Sequence, residues 1–197
     1  MAYYGLRKPY FAPFNEDGTT YDASKLQTVA RAIAFNVSPN FAEGSLAADD
    51  DPQSEYDREF TDADVTLGTD TLPIAVHKIL FGASTSDEDK TVIDKTSDNA
   101  AYVGVAVIAP QKVRGTKTFA CVFMPKVKFT VPGDDFETKG SSITYKTPSI
   151  SGKAVQNSAG EWRRKHEAAS EEDAIAWIRQ QFGAAASSGT GTTGAQS

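Results

Sequence analysis

The sequence predicts a mainly β (α+β) fold, and three observations carry that prediction. Apolar residues alternate at a period of two through Ile33, Phe35 and Val37, through Phe119, Cys121 and Phe123, and through Val127, Phe129 and Val131, as half-buried strands require. Helical spacing is confined to two short segments, Asp70–Phe81 and Ser170–Phe182, each followed by a glycine. The 197 residues, 40% of them hydrophobic, suffice for one ordinary domain with appendages.

Composition excludes several classes. A single cysteine, Cys121, rules out a disulfide scaffold and every Cys-rich zinc or iron–sulfur site, and is compatible with a reducing cytoplasm. No apolar run approaches the ~18 residues of a membrane span, and Met1–Pro9 lacks the apolar stretch of a signal peptide. With 26 acidic against 20 basic side chains and two histidines, the chain is a poor duplex-DNA binder and offers little for acid–base catalysis near neutral pH.

Taken in order, Arg31–Pro39 is the first strand. Glu43 to Asp57 holds the acids Glu43, Asp49, Asp50, Asp51, Glu55 and Asp57 and no base, so it is expected to be a solvated loop. Arg58–Leu67 makes a second strand, with Val65 and Leu67 on one face, Phe60 as anchor, and Asp62 and Asp64 on the wet face. Asp70 or Thr71 should cap the helix, Pro73 suits its first turn, Leu72, Val76, Ile79 and Leu80 share a face, and Gly82 stops it. Ala83–Asn99 reads as an exposed polar connection.

The second half is mostly strand: Tyr102–Ala109, a turn at Gln111–Gly115, then Thr116–Val131. Pro125 cannot donate to a ladder, so it is expected to break that last run at an edge or bulge. A turn at Pro132–Asp135 precedes alternation over Ser141–Val155, and Asn157–Gly160 turns into Glu161–His166 with Trp162 as its apolar anchor. Ser170 and Asp173 resemble a capping box for a helix with Ile175, Ile178 and Phe182 inward. The Ala/Ser/Gly/Thr-rich residues 184–197 are expected to be a flexible tail beyond a single domain over 1–183.

No catalytic, metal or cofactor site is expected. Asp49–Asp51 fails calcium-loop spacing, because Ser54 stands where the sharp-turn glycine belongs and Phe60 where a bidentate Glu belongs. Cys121 alternates inward as a core thiol; His77 and His166 read as surface residues with no triad pattern around them. Tyr3, Tyr4, Tyr10, Phe11 and Phe14, interleaved with Pro9 and Pro13, mark residues 1–14 as an N-terminal arm that packs across its own sheet or another subunit.

The order of short motifs resembles the major tail, or tail-tube, proteins of long-tailed phages and prophages of Gram-positive bacteria. The likeness spans Tyr3 to Gly183. It includes Ser38-Pro39-Asn40-Phe41-Ala42-Glu43-Gly44, Phe60-Thr61 through Val65-Thr66-Leu67-Gly68, Ala101-Tyr102-Val103-Gly104, Lys126-Val127-Lys128-Phe129, Thr147-Pro148-Ser149-Ile150, Trp162 and Ala174-Ile175-Ala176-Trp177-Ile178.

The resemblance implies a β-sandwich or partly closed barrel flanked by one α-helix, with a short C-terminal helix, six copies forming a ring. Rings would stack into a tube around the tape-measure protein, meet tail terminator and distal tail proteins, and pass DNA transiently through an acidic lumen. The place of action would be the virion tail, after assembly in the host cytoplasm, with no membrane involved. On this reading Tyr3–Phe14 is an assembly arm, Glu43–Phe60 the inter-ring loop, and Asp62 and Asp64 are lumen acids. A tail terminator or other ring-forming tail component, and a β-sandwich carbohydrate- or cell-surface-binding module, are the rival readings. Charge is also divided along the chain: residues 1–100 hold 8 basic and 18 acidic side chains, residues 101–197 hold 12 and 8.

Overall fold

Two long antiparallel hairpins organise the molecule. The computed structural model describes residues 2–15, 18–48, 51–86, 90–113, 115–134, 138 and 147–184; the side chains of Ala2, 46–48 and 51–55 also fall outside the description. The elements are β1 (Ala2–Tyr3), β2 (Arg7–Pro13), β3 (Gln27–Thr28), β4 (Ala32–Ala48), β5 (Asp51–Thr69), α1 (Ile74–Phe81), β6 (Ser84–Ser86), β7 (Thr91–Ile93), β8 (Tyr102–Val113), β9 (Thr116–Phe129), β10 (Ser149–Ala154), β11 (Arg164–Ala168) and α2 (Glu171–Gln181).

All pairings are antiparallel. One sheet runs in the order β3-β2-β8-β9-β10-β5-β4, with β1 added to β8 and β11 to β9, while β6 and β7 pair separately. The main sheet has two edges and does not close into a barrel, so the fold is mainly β and sandwich-like, with two helices. One core gathers Val65, Leu67, Val103, Val127, Phe129 and Ile150 beneath Val76, Leu80 and Phe81 of α1. A second gathers Ile108, Phe119, Cys121 and Phe123 beneath Ala174 and Ile178 of α2 and the adjoining Phe182.

A bulge lets one hairpin serve both cores. Val103 pairs with Val127 but Val105 pairs with Met124, which leaves an extra residue on β9 around Pro125 and Lys126. Before it Phe119, Cys121 and Phe123 face the second core; from Met124 onward Val127 and Phe129 face the first. The expected break at Pro125 is thus a bulge inside one continuous strand. The Tyr21 hydroxyl donates to the Pro125 carbonyl at 2.7 Å and Val155 N to the Lys126 carbonyl at 2.9 Å, so the disturbed backbone keeps its acceptors satisfied.

Other expectations are adjusted. The turn expected at Gln111–Gly115 is later and tighter, since β8 continues to Val113 and Gly115 takes φ 91°. Pro73 is the N-cap of α1 instead of a first-turn residue, and Asp70 accepts from Arg31 N at 3.0 Å, tying the helix approach to β4. Ile33 is 54% exposed, because Ala32 pairs with Thr69 and Ala34 with Gly68, so Ile33 is the extra residue of a bulge and Ala32, Phe35 and Val37 pack on the core without it. The Ala83–Asn99 connection contains the β6–β7 hairpin. The α2 cap is as read, with Ser170 Oγ accepting from Asp173 N at 3.1 Å. Residues 141–146 of the expected Ser141–Val155 strand, and the tail beyond residue 184, lie outside the described residues.

Candidate assembly surface

The expected loop Glu43–Phe60 is instead the outer part of the β4–β5 hairpin. Pairing continues from Phe41–Phe60 through Glu43–Arg58, Ser45–Tyr56 and Leu46–Glu55 to Ala48–Asp51. A ladder needs only backbone donors and acceptors, so acidity does not prevent it; with no layer packed on either side, Ala42–Ser45 and Tyr56–Glu59 are exposed. Beyond the level of Ala63, where β10 leaves β5, this arm is two strands wide. Its eight or so residue pairs project about 25 Å at the usual rise per residue.

A row of rings and guanidinium groups sets the arm's base. Arg58 lies over the Phe41 ring at 3.9 Å, Phe41 meets Phe60 edge to face at 6.0 Å, and Phe60 stacks on Trp162 at 4.6 Å. Arg163 covers the far side of Trp162 at 4.3 Å. Arg58 also pairs with Glu43 at 3.4 Å. Trp162 is therefore the anchor expected from sequence, but the surface it anchors is the arm. Of the six loop acids, Glu43 and Asp57 are exposed on it. Asp49 and Asp50 lie outside the described residues, as do the side chains of Asp51 and Glu55.

Asp62 and Asp64 point away from the core, alternating with buried Ala63 and Val65 as the strand period demands. They are not bare charges. Asn40 Nδ2 donates to Asp62 Oδ1 at 2.7 Å and Asp64 Oδ2 at 2.8 Å, and Lys153 Nζ sits 2.9 Å from an oxygen of each. The Asn40 amide, ahead of Lys153, holds Asp62 below the usual carboxylate range; for Asp64 the lysine leads and the amide follows. The two carboxylates hold Lys153 above its ordinary value, Asp64 more than Asp62.

The register places Asn36, Ser38 and Asn40 of β4, Asp62, Asp64 and Thr66 of β5, Ser151 and Lys153 of β10 and Lys128 of β9 on this one face. Both helices pack on apolar surfaces elsewhere, so neither covers this polar face, and Lys128 Nζ at its margin donates to Asn99 Oδ1 at 2.9 Å. Tyr102 extends it, with Lys126 Nζ 4.6 Å and Lys128 Nζ 5.5 Å from its ring centre.

The expected N-terminal arm is only partly an arm. Phe11 is fully buried in the first core, Tyr10 is half-buried against the second, and Phe14 is half-buried on Tyr21 at 4.7 Å, because this segment is β2, paired to β8. Phe11 is enclosed within its own molecule, while Tyr10 and Phe14 pack inward with part of each ring left at the surface. Tyr3 and Tyr4 remain 59% and 56% exposed. Cys121 is buried, its thiol pushed up to about 11 by desolvation. His166 is exposed, as expected, and stacks on Trp177 at 4.9 Å, while His77 is half-buried and meets Phe81 edge to face at 5.4 Å. Among the described residues no three His, Cys, Asp or Glu side chains converge as a metal site would require.

No family model matches the sequence, and no curated protein matches it.

Proposed function

We propose that this chain is a structural subunit that assembles head to tail with copies of itself. One observation carries the reading: β4, an edge strand of seventeen residues, has no partner on its outer side among the described residues and continues into an arm that projects beyond the sheet. Such a long edge invites addition of another strand, and natural folds blunt or cover it unless it has a partner. A sheet edge joined to a different surface of the next copy gives a heterologous contact, which builds rings or filaments.

Within that class the sequence resemblance favours a major tail-tube protein. On that reading rings of six copies stack around a tape-measure protein and later conduct the genome. Asp62 and Asp64 line the lumen, their charge tempered by Lys153, and the β4–β5 arm takes the connecting role assigned to the loop.

Electron microscopy of the purified chain tests the proposal. Tubes of even diameter are expected. Isolated rings would shift the reading to a terminator-type component, and a monomer at every concentration would overturn it.

A further inference from the structure

We propose that the cavity between the starts of β2 and β4 binds a small phosphomonoester, gripped by Arg31 from the β4 side and by Arg7 and Lys8 from β2; this goes beyond the self-assembly reading and does not depend on it. Only Val29, Ala30 and Arg31 separate β3, which pairs with β2, from β4, so the chain brings the start of β4 beside Arg7 and Lys8. Asp70 N donates to the Arg31 carbonyl and Arg31 N to Asp70 Oδ1, both at 3.0 Å, which fastens the approach to α1 there as well. Glu171 of α2 completes the lining. The cavity measures about 640 Å³, within the ~300–1,000 Å³ of small-molecule sites.

Positive charge is in excess there. Three cations line the cavity against two carboxylates, Asp70 and Glu171. Arg7 and Lys8 share the single Glu171 carboxylate, Arg7 Nη1 2.6 Å from Oε2 and Lys8 Nζ 3.1 Å from Oε1. Asp70 turns Oδ1 to the Arg31 amide and the Thr71 hydroxyl. Among the described residues no carboxylate stands within ion-pair distance of the exposed Arg31 guanidinium. Lys8 is held at φ 45°, a left-handed backbone that a residue with a side chain rarely adopts, and strain of that kind gathers at ligand clamps. The donors set the ligand class. A guanidinium fork matches phosphate oxygens, and a tetrahedral group offers oxygens in several directions, so it bridges cations arriving from two strands better than a flat carboxylate does. Leu6, Ala32 and Pro73 supply an apolar lining for a short carbon chain. Among the described residues no aromatic ring lines the cavity, so a nucleobase would have no stacking platform.

Isothermal titration calorimetry at constant ionic strength tests the site, with glycerol phosphate as probe and inorganic phosphate and succinate as controls. Glycerol phosphate should bind once per chain with Kd at or below about 1 mM, more tightly than either control. Arg31→Gln should weaken it at least about tenfold, as the loss of a hydrogen bond between charged groups implies. That variant should melt as wild type does without ligand, since among the described residues the guanidinium has no ion-pair partner to lose. Glu171→Gln should tighten binding by freeing Arg7 and Lys8, an effect that a purely structural role for Glu171 would not produce. No heat with glycerol phosphate, equal affinity for succinate or inorganic phosphate, undiminished binding to Arg31→Gln, or weaker binding to Glu171→Gln would each overturn the site.

Discussion

Trp162 lies flat on Phe60, ring centres 4.6 Å apart and planes 12° from parallel, and through it the segment before β11 grips the base of the arm. Phe60 in turn packs on Phe41 of the other arm strand, so one indole orients both strands. Trp162→Ala is expected to cost about 2 kcal/mol in urea unfolding, below the ~3–5 kcal/mol of fully buried aromatic truncations because the site is only half-buried. It should also speed proteolysis within residues 42–59 ahead of global unfolding. Unchanged cleavage there would show that the arm holds its direction without the stack.

Shortening the arm separates folding from assembly. Replacing Leu46–Glu55 by Asn-Gly joins the paired residues Ser45 and Tyr56 through a two-residue turn. A monomer with an unchanged melting temperature and no tubes by electron microscopy is expected. Normal tubes from this variant would remove the arm from the assembly mechanism.

Gly104 marks a close approach. A Cβ there would stand 2.6 Å from Tyr21 Cε1 and 2.8 Å from Phe182 Cε1, both rings of the cluster over the bulged hairpin. Gly104→Ala is expected to lose about 1–3 kcal/mol as an overpacked core does, read as a lower Tm. A Tm at or above wild type would mean the rings move aside freely.

Burial makes Val127 and Phe129 intolerant of charge. Val127 is fully buried and Phe129 nearly so. Aspartate at either position would strand a carboxylate in apolar surroundings and should cost upwards of about 3 kcal/mol, leaving the subunit without a cooperative far-UV melt at 37 °C. A normal melt would show that this face of β9 is not core.

The Asn40–Asp62–Asp64–Lys153 cluster ties stability to pH in a definite sense. Asp62 and Asp64 are held below the ordinary carboxylate value, so their contribution is complete above the unfolded value near ~3.9 and is lost as pH falls through the lower folded values. Lys153 is held above its ordinary value near ~10.4, so its contribution is present below that value and lost as pH rises through the folded one. All three groups face water, so the effect on stability is small. Titration by NMR reads the shifts directly: Lys153→Met should raise both aspartate pKa values, Asp64 the more. Unmoved aspartates would show that the ion pairs do not persist in solution.

Alternation and punctuation made β8 and β9, the α2 cap and the inward Cys121 legible, because each depends on neighbours in sequence, whereas the strand expected over Glu161–His166 is shifted to Arg164–Ala168 by its pairing with β9. The arm was hidden because its ladder is held by backbone pairing, while its side chains have the composition of a loop. Pairing outward from Asp49–Asp51 as a turn would have brought Phe41 within one residue of its observed partner Phe60 and suggested the hairpin. Asn40 and Lys153 were invisible as partners of Asp62 and Asp64, since the cluster exists only once three strands are in register. In the N-terminal segment, Phe11 follows a proline-broken pattern that conceals a central place beside β8.

The bulge at Pro125 has a consequence for how the molecule comes apart. Val103, Val105, Val127 and Phe129 of one hairpin belong to the core under α1, while Ala106, Ile108, Cys121 and Phe123 of the same hairpin belong to the core under α2. Neither core can be exposed without pulling on strands that complete the other. The two halves are expected to behave as one cooperative unit, with their slowest amide protons exchanging together in native-state hydrogen exchange. A molecule built this way is expected to bear a load applied at its edge as a single body.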